Sequence, residues 1–251
     1  MTTTVPPPAS ADAVVGVIVA AGSGLRLGGD VPKALVPLVG QTLVRRSANA
    51  LVAGGCTHLV VVVAAGLEGK FSDELAGVGV PVHLTTGGER RQDSVVNGLH
   101  LIDLLPELEQ AQVVLVHDAA RALVPAWVVA EVISAVRDGA AAVIPVVPMI
   151  DSVRRDHTVL NGATSGMLSS VVDRADLRLV QTPQGFDRQV LREAHAQAIA
   201  EGLEVTDDAA VCEALGHQVV LVEGSRDALK VTESFDLVVA EAICRQREEA
   251  Q

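Results

Sequence analysis

The stretch VVGVIVAAGSGLRLGGDVPKAL, Val14 to Leu35, decides how the rest of the chain is read. An apolar block runs into a glycine-rich turn, and the segment closes on Pro32-Lys33. This is the pattern of a buried strand feeding a loop built to hold phosphate, because small residues let backbone N–H groups approach an anion closely. Two common fingerprints fail. A dinucleotide-binding G-x-G-x-x-G is begun by Gly22 and Gly24, but Leu27 stands where the third glycine belongs. A P-loop has its spacing in Gly24 and Gly29, but Asp30 occupies the lysine position. The loop is phosphate-like and of a third type, with Arg26 and Lys33 supplying charge; the plainer alternative is an ordinary strand-to-helix turn carrying surface cations.

Working outward, the same apolar pattern recurs. HLVVVVAA (58–65), VPVHLT (80–85), QVVLVHD (112–118), AAAVIPVV (140–147) and HQVVLVEG (217–224) are short Val-rich runs, as strands buried on both faces are. Helical patterns separate them. In QTLVRRSANALVAGG, Leu43, Ser47, Ala50 and Leu51 share a face and Gly54-Gly55 stops the helix. Residues 90–102, 125–139, about 187–201, 207–215 and 233–246 read as further helices, with Pro125 in a first turn and Gly139 at a stop. The alternation predicts an α/β fold, a Rossmann-like, doubly wound and mostly parallel sheet, whose ligands bind beyond the carboxyl ends of the strands. The alternation breaks at about 148–175, a polar, turn-rich stretch that predicts a β-hairpin arm projecting from the sheet; Val180 to Gln184 returns to the body. Residues 1–13 read as a disordered tail and 14–251 as a single domain that includes the arm.

Bulk properties narrow the function. Hydrophobic residues make up 49% of the 251, which excludes a disordered chain, and aromatics only 2%, so the core is aliphatic. A net charge of -12 argues against nucleic-acid binding, which needs a basic surface, but leaves room for a small anion held by concentrated cations. Cys56, Cys212 and Cys244 are odd in number and far apart, so neither a disulfide framework nor a zinc site is expected, and a reducing cytoplasm is. No apolar run approaches the roughly 18–20 residues of a membrane span. The start, MTTTVPPPASADA, has no secretory-signal pattern.

Unusual residues collect at the strand ends. The first strand leads into Ala20-Ala21-Gly22-Ser23-Gly24, the fourth into VHDAAR (116–121), and the third into GGERRQDSV (87–95). Asp118 stands where an aspartate meets a metal ion or a ribose hydroxyl, or else caps the following helix. Gly87-Gly88 makes a tight loop whose backbone can read a base edge, with Ser94 in the next helix's first turns; the adjacent Arg90 and Arg91 are also what a solvated face carries. Lys230, in DALKVT, is one of only three lysines, with Lys33 and Lys70. His117 borders a buried strand and reads as a core histidine, not a base. No G-x-S-x-G elbow and no metal-spaced histidines occur. This inventory is rich in cations and poor in nucleophiles. It suits a reaction whose attacking group is itself a phosphate, already largely ionised at neutral pH. Such an enzyme brings two anions together and stabilises a crowded, negative transition state.

AAGSGLRLGGDVPKAL, GGERRQDSV, VHDAAR, VDR (172–174), QTPQ (181–184), TDDA (206–209) and LKVT (229–232), in that order, resemble the motif set of the 2-C-methyl-D-erythritol 4-phosphate cytidylyltransferase family. The first motif is shared with many sugar-phosphate nucleotidyltransferases; the ordered set is specific. The resemblance implies transfer of CMP from CTP to that polyol phosphate with release of pyrophosphate, in non-mevalonate isoprenoid biosynthesis. Ribitol 5-phosphate cytidylyltransferases share the fold and most motifs, and another sugar-phosphate nucleotidyltransferase is a more distant alternative. The resemblance places Arg26, Lys33 and Lys230 in catalysis. It puts Ala20, Ala21, Gly22, Ser23, Gly24, Gly88, Glu89, Ser94, Asp118 and Ala119 around the nucleotide. Arg121, Ser152, Arg174 and Thr182, with Lys230, would meet the acceptor phosphate, and Asp118 and Asp227 would lie nearest Mg2+. It further implies a homodimer through the arm, so that Ser152 and Arg174 complete the partner's site. Leu25 and Glu89 stand where some members of the family carry a basic residue and Asp, and Ala228 where many have Asn. None of these departures removes a residue assigned to the chemistry.

Overall fold

The structure, a computed structural model, describes residues 12–22, 31–156, 169–203 and 205–249. Among these the strands are β1 (Val14–Val19), β2 (Pro37–Leu38), β3 (Gln41–Thr42), β4 (His58–Val63), β5 (Val82–Thr86), β6 (Val113–Asp118), β7 (Ala142–Pro148), β8 (Val153–Asp156), β9 (Ser169–Val172), β10 (Arg178–Val180), β11 (Gln184–Asp187) and β12 (Val219–Glu223). The helices are α1 (Leu43–Ala53), α2 (Glu68–Leu75), α3 (Arg91–Leu104), α4 (Ala126–Arg137), α5 (Arg188–Glu201), α6 (Asp208–Ala214) and α7 (Ser234–Glu249).

The central sheet runs β5-β4-β1-β6-β11-β7-β12, with β10 paired to the far end of β7. Its strands are parallel except β10 and β11, which run against their neighbours. The chain moves from β1 to β4 and β5 on one side, then crosses to β6 on the other. The order therefore reverses between β1 and β6, and a crevice opens there at the carboxyl ends.

Alternation along each strand builds two cores. Val14 and Ile18 of β1, with Leu59, Val61 and Leu115, pack under α1, α2 and α4. Val15 and Val17, with Val60, Val62, Val114 and Val116, pack under α3, α5 and α6. Strand residues two apart share a face, so a continuous Val run feeds both layers. Each such fully buried side chain contributes roughly 1.5–3 kcal/mol. On α3, Gly98 lets the helix lie close on the sheet, since a Cβ there would stand 2.9 Å from Val17 Cγ1. That close seat sets the first turn of α3 over the crevice. A third, smaller core of Leu38, Leu43, Leu123, Val231, Ala240 and Cys244 docks α7 beside the site.

The six helices expected from sequence form within a few residues of their expected bounds, as do the Val-rich strands. Helix α2 is an addition. Its sequence is polar and is anchored by Phe71 and Leu75, four apart and buried. The region after the arm is more sheet-like than expected, because β10 and β11 wedge antiparallel against β7. The hairpin itself is present: β8 and β9 pair antiparallel, Val153 opposite Val172, as a separate two-stranded sheet with mostly exposed residues. Residues 1–11 lie outside the described residues. Ala13 is already buried, and Asp12 accepts a hydrogen bond on its carbonyl from Arg137 at 3.1 Å.

Candidate functional site

The crevice at the strand ends holds a cavity of about 550 Å3, within the usual span for small-molecule sites of roughly 300–1,000 Å3. Ala20, Ala21, Gly22, Lys33, Gly88, Glu89, Ser94, Asp118, Ala119 and Lys230 line it together, as do Arg90, Arg91 and Thr232. Ser23, Gly24 and Arg26 lie outside the described residues. Ser152 and Arg174, at the base of the hairpin, and Arg121, Thr182 and Asp227 are not among the lining residues.

The floor is fixed by the sheet. Ala20 N–H donates to Val62 O at 2.8 Å and Ala119 N–H to Val19 O at 3.2 Å. These two alanines therefore offer close approach and small volume, since their N–H groups are already spent. One wall is the turn before α3. Gly88 N–H donates to Ser94 Oγ at 3.1 Å, and Ser94 Oγ donates to Arg90 O at 3.1 Å. Gly87 has no room for a side chain: a Cβ would stand 2.5 Å from Ala21 Cβ and 2.8 Å from Ser94 Oγ. The two arginines of this turn part company. Arg90 is half exposed and pairs with Asp93 three residues on, at 2.8 Å. Arg91 turns inward.

Asp118, at the end of β6, is the charged centre of the cavity. Its Oδ1 is 3.2 Å from Arg91 Nε and its Oδ2 is 2.7 Å from Lys230 Nζ. Burial by itself raises a carboxyl pKa, but the charges of Arg91 and Lys230 outweigh it, and Asp118 is held well below the usual carboxylate range. Arg91 in turn meets Asp208 Oδ2 at 2.8 Å, an ion contact more than an aligned hydrogen bond. Burial opposes the Arg91 charge, yet Asp208 and Asp118 together raise its pKa above the ordinary value. Asp208 itself is buried, which raises its pKa, while the His195 hydrogen bond and Arg91 more than reverse that.

The loop carrying Lys230 is held from three directions. Gln181 clamps Ser225, donating to its carbonyl at 2.7 Å and accepting from its N–H at 3.0 Å. Arg121 donates to Ala228 O at 2.8 Å and to Val180 O at 3.1 Å, and Val231 N–H donates to Ala120 O at 2.9 Å. Asp236, in the first turn of α7, accepts from Thr232 N–H at 2.6 Å, Thr232 Oγ1 at 2.5 Å and Glu233 N–H at 2.9 Å. Asp227, on the same loop, accepts from Arg247 at 2.7 Å. Thr182 sits beneath Asp118, where its hydroxyl accepts the Asp118 N–H at 3.1 Å and lies 3.0 Å from His117 Nδ1.

The cavity gathers cations around one carboxylate, and among the described residues it contains no activated nucleophile. The Ser94 hydroxyl is spent within its turn, and no described cysteine or histidine lines the space. His117 is fully buried, and burial pushes its pKa down to about 4, so it is neutral at physiological pH. Sequence reasoning missed Arg91, which reads as half of a solvated pair, and missed the supports Gln181, Asp208, Thr232 and Asp236. Gln181, Asp208 and Thr232 fall in quoted motifs, which is the available signal. The bridging geometry of Arg91 has none.

A family model described as 2-C-methyl-D-erythritol 4-phosphate cytidylyltransferase (IspD) matches residues 14–246. The chain is 44% identical over 231 residues to the 2-C-methyl-D-erythritol 4-phosphate cytidylyltransferase of Saccharopolyspora erythraea, covering 92% of this chain and 98% of that protein. It is 40% identical over 246 residues to the protein of that name from Corynebacterium diphtheriae, covering 94% and 95%. The crystal structure of 2-C-methyl-D-erythritol 4-phosphate cytidylyltransferase from Thermus thermophilus superposes with a TM-score of 0.72 at 35% identity, covering 91% of this chain and 98% of that one.

Proposed function

The chain belongs to the 2-C-methyl-D-erythritol 4-phosphate cytidylyltransferase family, and on that footing we infer that it transfers CMP from CTP to 2-C-methyl-D-erythritol 4-phosphate, with release of pyrophosphate, in isoprenoid biosynthesis. The observation that carries this reading is the meeting of Lys33, Lys230, Arg91 and Asp118 at one cavity whose described residues include no activated nucleophile. In the reaction an oxygen of the acceptor phosphate attacks the α-phosphorus of CTP. One P–O bond forms, the bond to the β-phosphate breaks, and pyrophosphate leaves with the electron pair. The attacking group is already ionised, so no base is required. Lys33 and Lys230 offset the charge that builds on the α-phosphoryl group, a contribution that grows in the transition state. Arg26 is assigned to the same task.

The turn at Gly87-Gly88, with Glu89 and Ser94, gives cytosine a narrow slot beside Ala20, Ala21 and Gly22. Asp118 and Ala119 lie under the ribose and phosphates. The donor set fits Mg2+. Among the described residues no cluster of three carboxylates or histidines is present, and Mg2+ characteristically uses one or two carboxylates and completes its shell with substrate phosphates and water. Asp118 is the residue that would hold it; the Asp227 carboxylate is engaged by Arg247. When bound, the ion draws charge from the phosphate oxygens.

The acceptor phosphate is assigned to Lys230 and Arg121 of one subunit, with Ser152 and Arg174 reaching in from the arm of the other in a homodimer. The exposed hairpin and its separation from the central sheet support that arrangement. Three free, buried cysteines suit a reducing cytoplasm, and no helix among the described residues is long and apolar enough to cross a membrane. A nucleotide panel tests the reading. Pyrophosphate release is expected with CTP, only when the acceptor and Mg2+ are present; equal turnover of GTP or UTP would contradict it.

A further inference from the structure

An ionic chain runs inward from Asp118 and Arg91 of the cavity lining to the buried Asp208 and His195. His195 Nε2 is 3.2 Å from Asp208 Oδ1, Asp208 Oδ2 is 2.8 Å from Arg91 Nη1, and Arg91 Nε is 3.2 Å from Asp118 Oδ1. Asp208 is 1% exposed and does not line the cavity. Its backbone is fixed too, for the N–H groups of Asp208 and Ala209 both donate to Gln184 Oε1 at 3.2 Å. A buried carboxylate is costly unless it is paired and hydrogen-bonded. Here its partner is the guanidinium that orients Asp118.

We propose that Asp208 is a positioning residue for the metal-nucleotide site. It anchors the Nη1 end of Arg91, so that Nε reserves Oδ1 of Asp118 and leaves Oδ2 as the one exchangeable oxygen. Lys230 occupies that oxygen here, at 2.7 Å. Two carboxylates bridged by one guanidinium keep one net negative charge. Lys230 balances it here, and with Lys230 turned to phosphate, Oδ2 of Asp118 would be free to hold a divalent cation. A planar guanidinium can serve two carboxylates at once, which a lysine ammonium in the same place cannot do in fixed directions. This inference rests on the reading of Asp118 as the Mg2+ ligand.

The test is calorimetric affinity for CTP, in Mg2+ and in EDTA, without acceptor and therefore without turnover. Wild type should bind at least tenfold tighter with Mg2+, and Asp118→Asn should abolish that gain. Asp208→Asn should lose most of the gain, and Arg91→Gln should lose as much. In the Arg91→Gln background, adding Asp208→Asn should change the Mg2+ affinity by less than twofold. A similar loss from Asp208→Asn in both backgrounds would overturn the proposal. Should Asp208→Asn not fold, Arg91→Lys serves alone, and wild-type Mg2+ dependence in that variant would overturn it. A wild type indifferent to Mg2+ would remove the metal reading and this inference with it. A gain abolished by Asp118→Asn but untouched by Asp208→Asn would sink the inference alone.

Discussion

Lys230 Nζ stands 2.7 Å from Asp118 Oδ2, and the carboxylate is the more buried partner, with 11% of its side chain exposed against 43% for the lysine. The lysine is therefore the half that can leave. A triphosphate offers it a stronger counter-charge, and the loop that carries it is pinned by Gln181, Arg121 and Asp236, so only the side chain needs to move. In the proposed reaction the same side chain would serve both as the partner of Asp118 and as a charge for the phosphates.

Lys33 opens a short turn whose backbone is fixed by Leu35 N–H to Pro32 O at 2.8 Å. Lys33 lines the cavity from that fixed origin, and the proposed function assigns its ammonium to the reacting phosphorus. Lys33→Ala is expected to lower kcat by on the order of 10²–10³ while raising the KM for CTP far less. Steady-state kinetics over a range of CTP concentrations check this; an effect confined to KM would make Lys33 a ground-state ligand only.

Gly87→Ala is expected to act on the nucleotide slot, because the new methyl would press on Ala21 and the Ser94 hydroxyl. The KM for CTP should rise about tenfold or more, the size of one poorly accommodated methyl group. The kcat at saturating CTP should change less. Unchanged kinetics would place the base elsewhere.

How much of this is open to sequence reading follows from the kind of signal each feature leaves. Val15, Val17, Val60 and Val62 announce themselves as core because buried parallel strands need unbroken apolar runs. Lys33, Gly88, Asp118 and Lys230 are legible because each sits at a strand end or in a motif, and the fold collects strand ends into one crevice. Arg91 is not, since inward and outward arginines look alike in a string; only the seat of α3, fixed by Gly98 against Val17, turns it toward Asp118. The family resemblance assigns Thr182 to the acceptor phosphate; the structure adds that its hydroxyl accepts the Asp118 N–H, a contact that a string of letters does not display. Helix α2 escapes notice because two anchors, Phe71 and Leu75, make too weak a periodicity to see.

His117 makes stability depend on pH. Burial pushes its pKa from 6.5 down to about 4, with the Arg121 charge adding to the fall and Asp118 opposing it. Between these values the unfolded chain binds the extra proton, so stability is full above about pH 6.5 and declines as pH falls toward 4. The shift corresponds to at most about 3 kcal/mol. Urea unfolding at about pH 7 and about pH 4.5, on either side of most of that fall, measures it. His117→Asn should flatten the slope, and an equal slope in the variant would assign the effect to other groups.

The arm predicts complementation between subunits. Lys33→Ala and Arg174→Ala homodimers should each be nearly inactive. Mixed and allowed to exchange, they should recover roughly a quarter of wild-type activity, since half the dimers are mixed and each mixed dimer has one intact site. No recovery, with exchange verified by mass, would place Arg174 in its own subunit's site or in none.

The central claim is that this cavity joins CTP to one particular polyol phosphate. Pyrophosphate release should be followed with purified protein, CTP and Mg2+, comparing 2-C-methyl-D-erythritol 4-phosphate with ribitol 5-phosphate as acceptor. Rapid release is expected with methylerythritol phosphate and only background with ribitol phosphate. Background release with methylerythritol phosphate, or preference for ribitol phosphate, would contradict it.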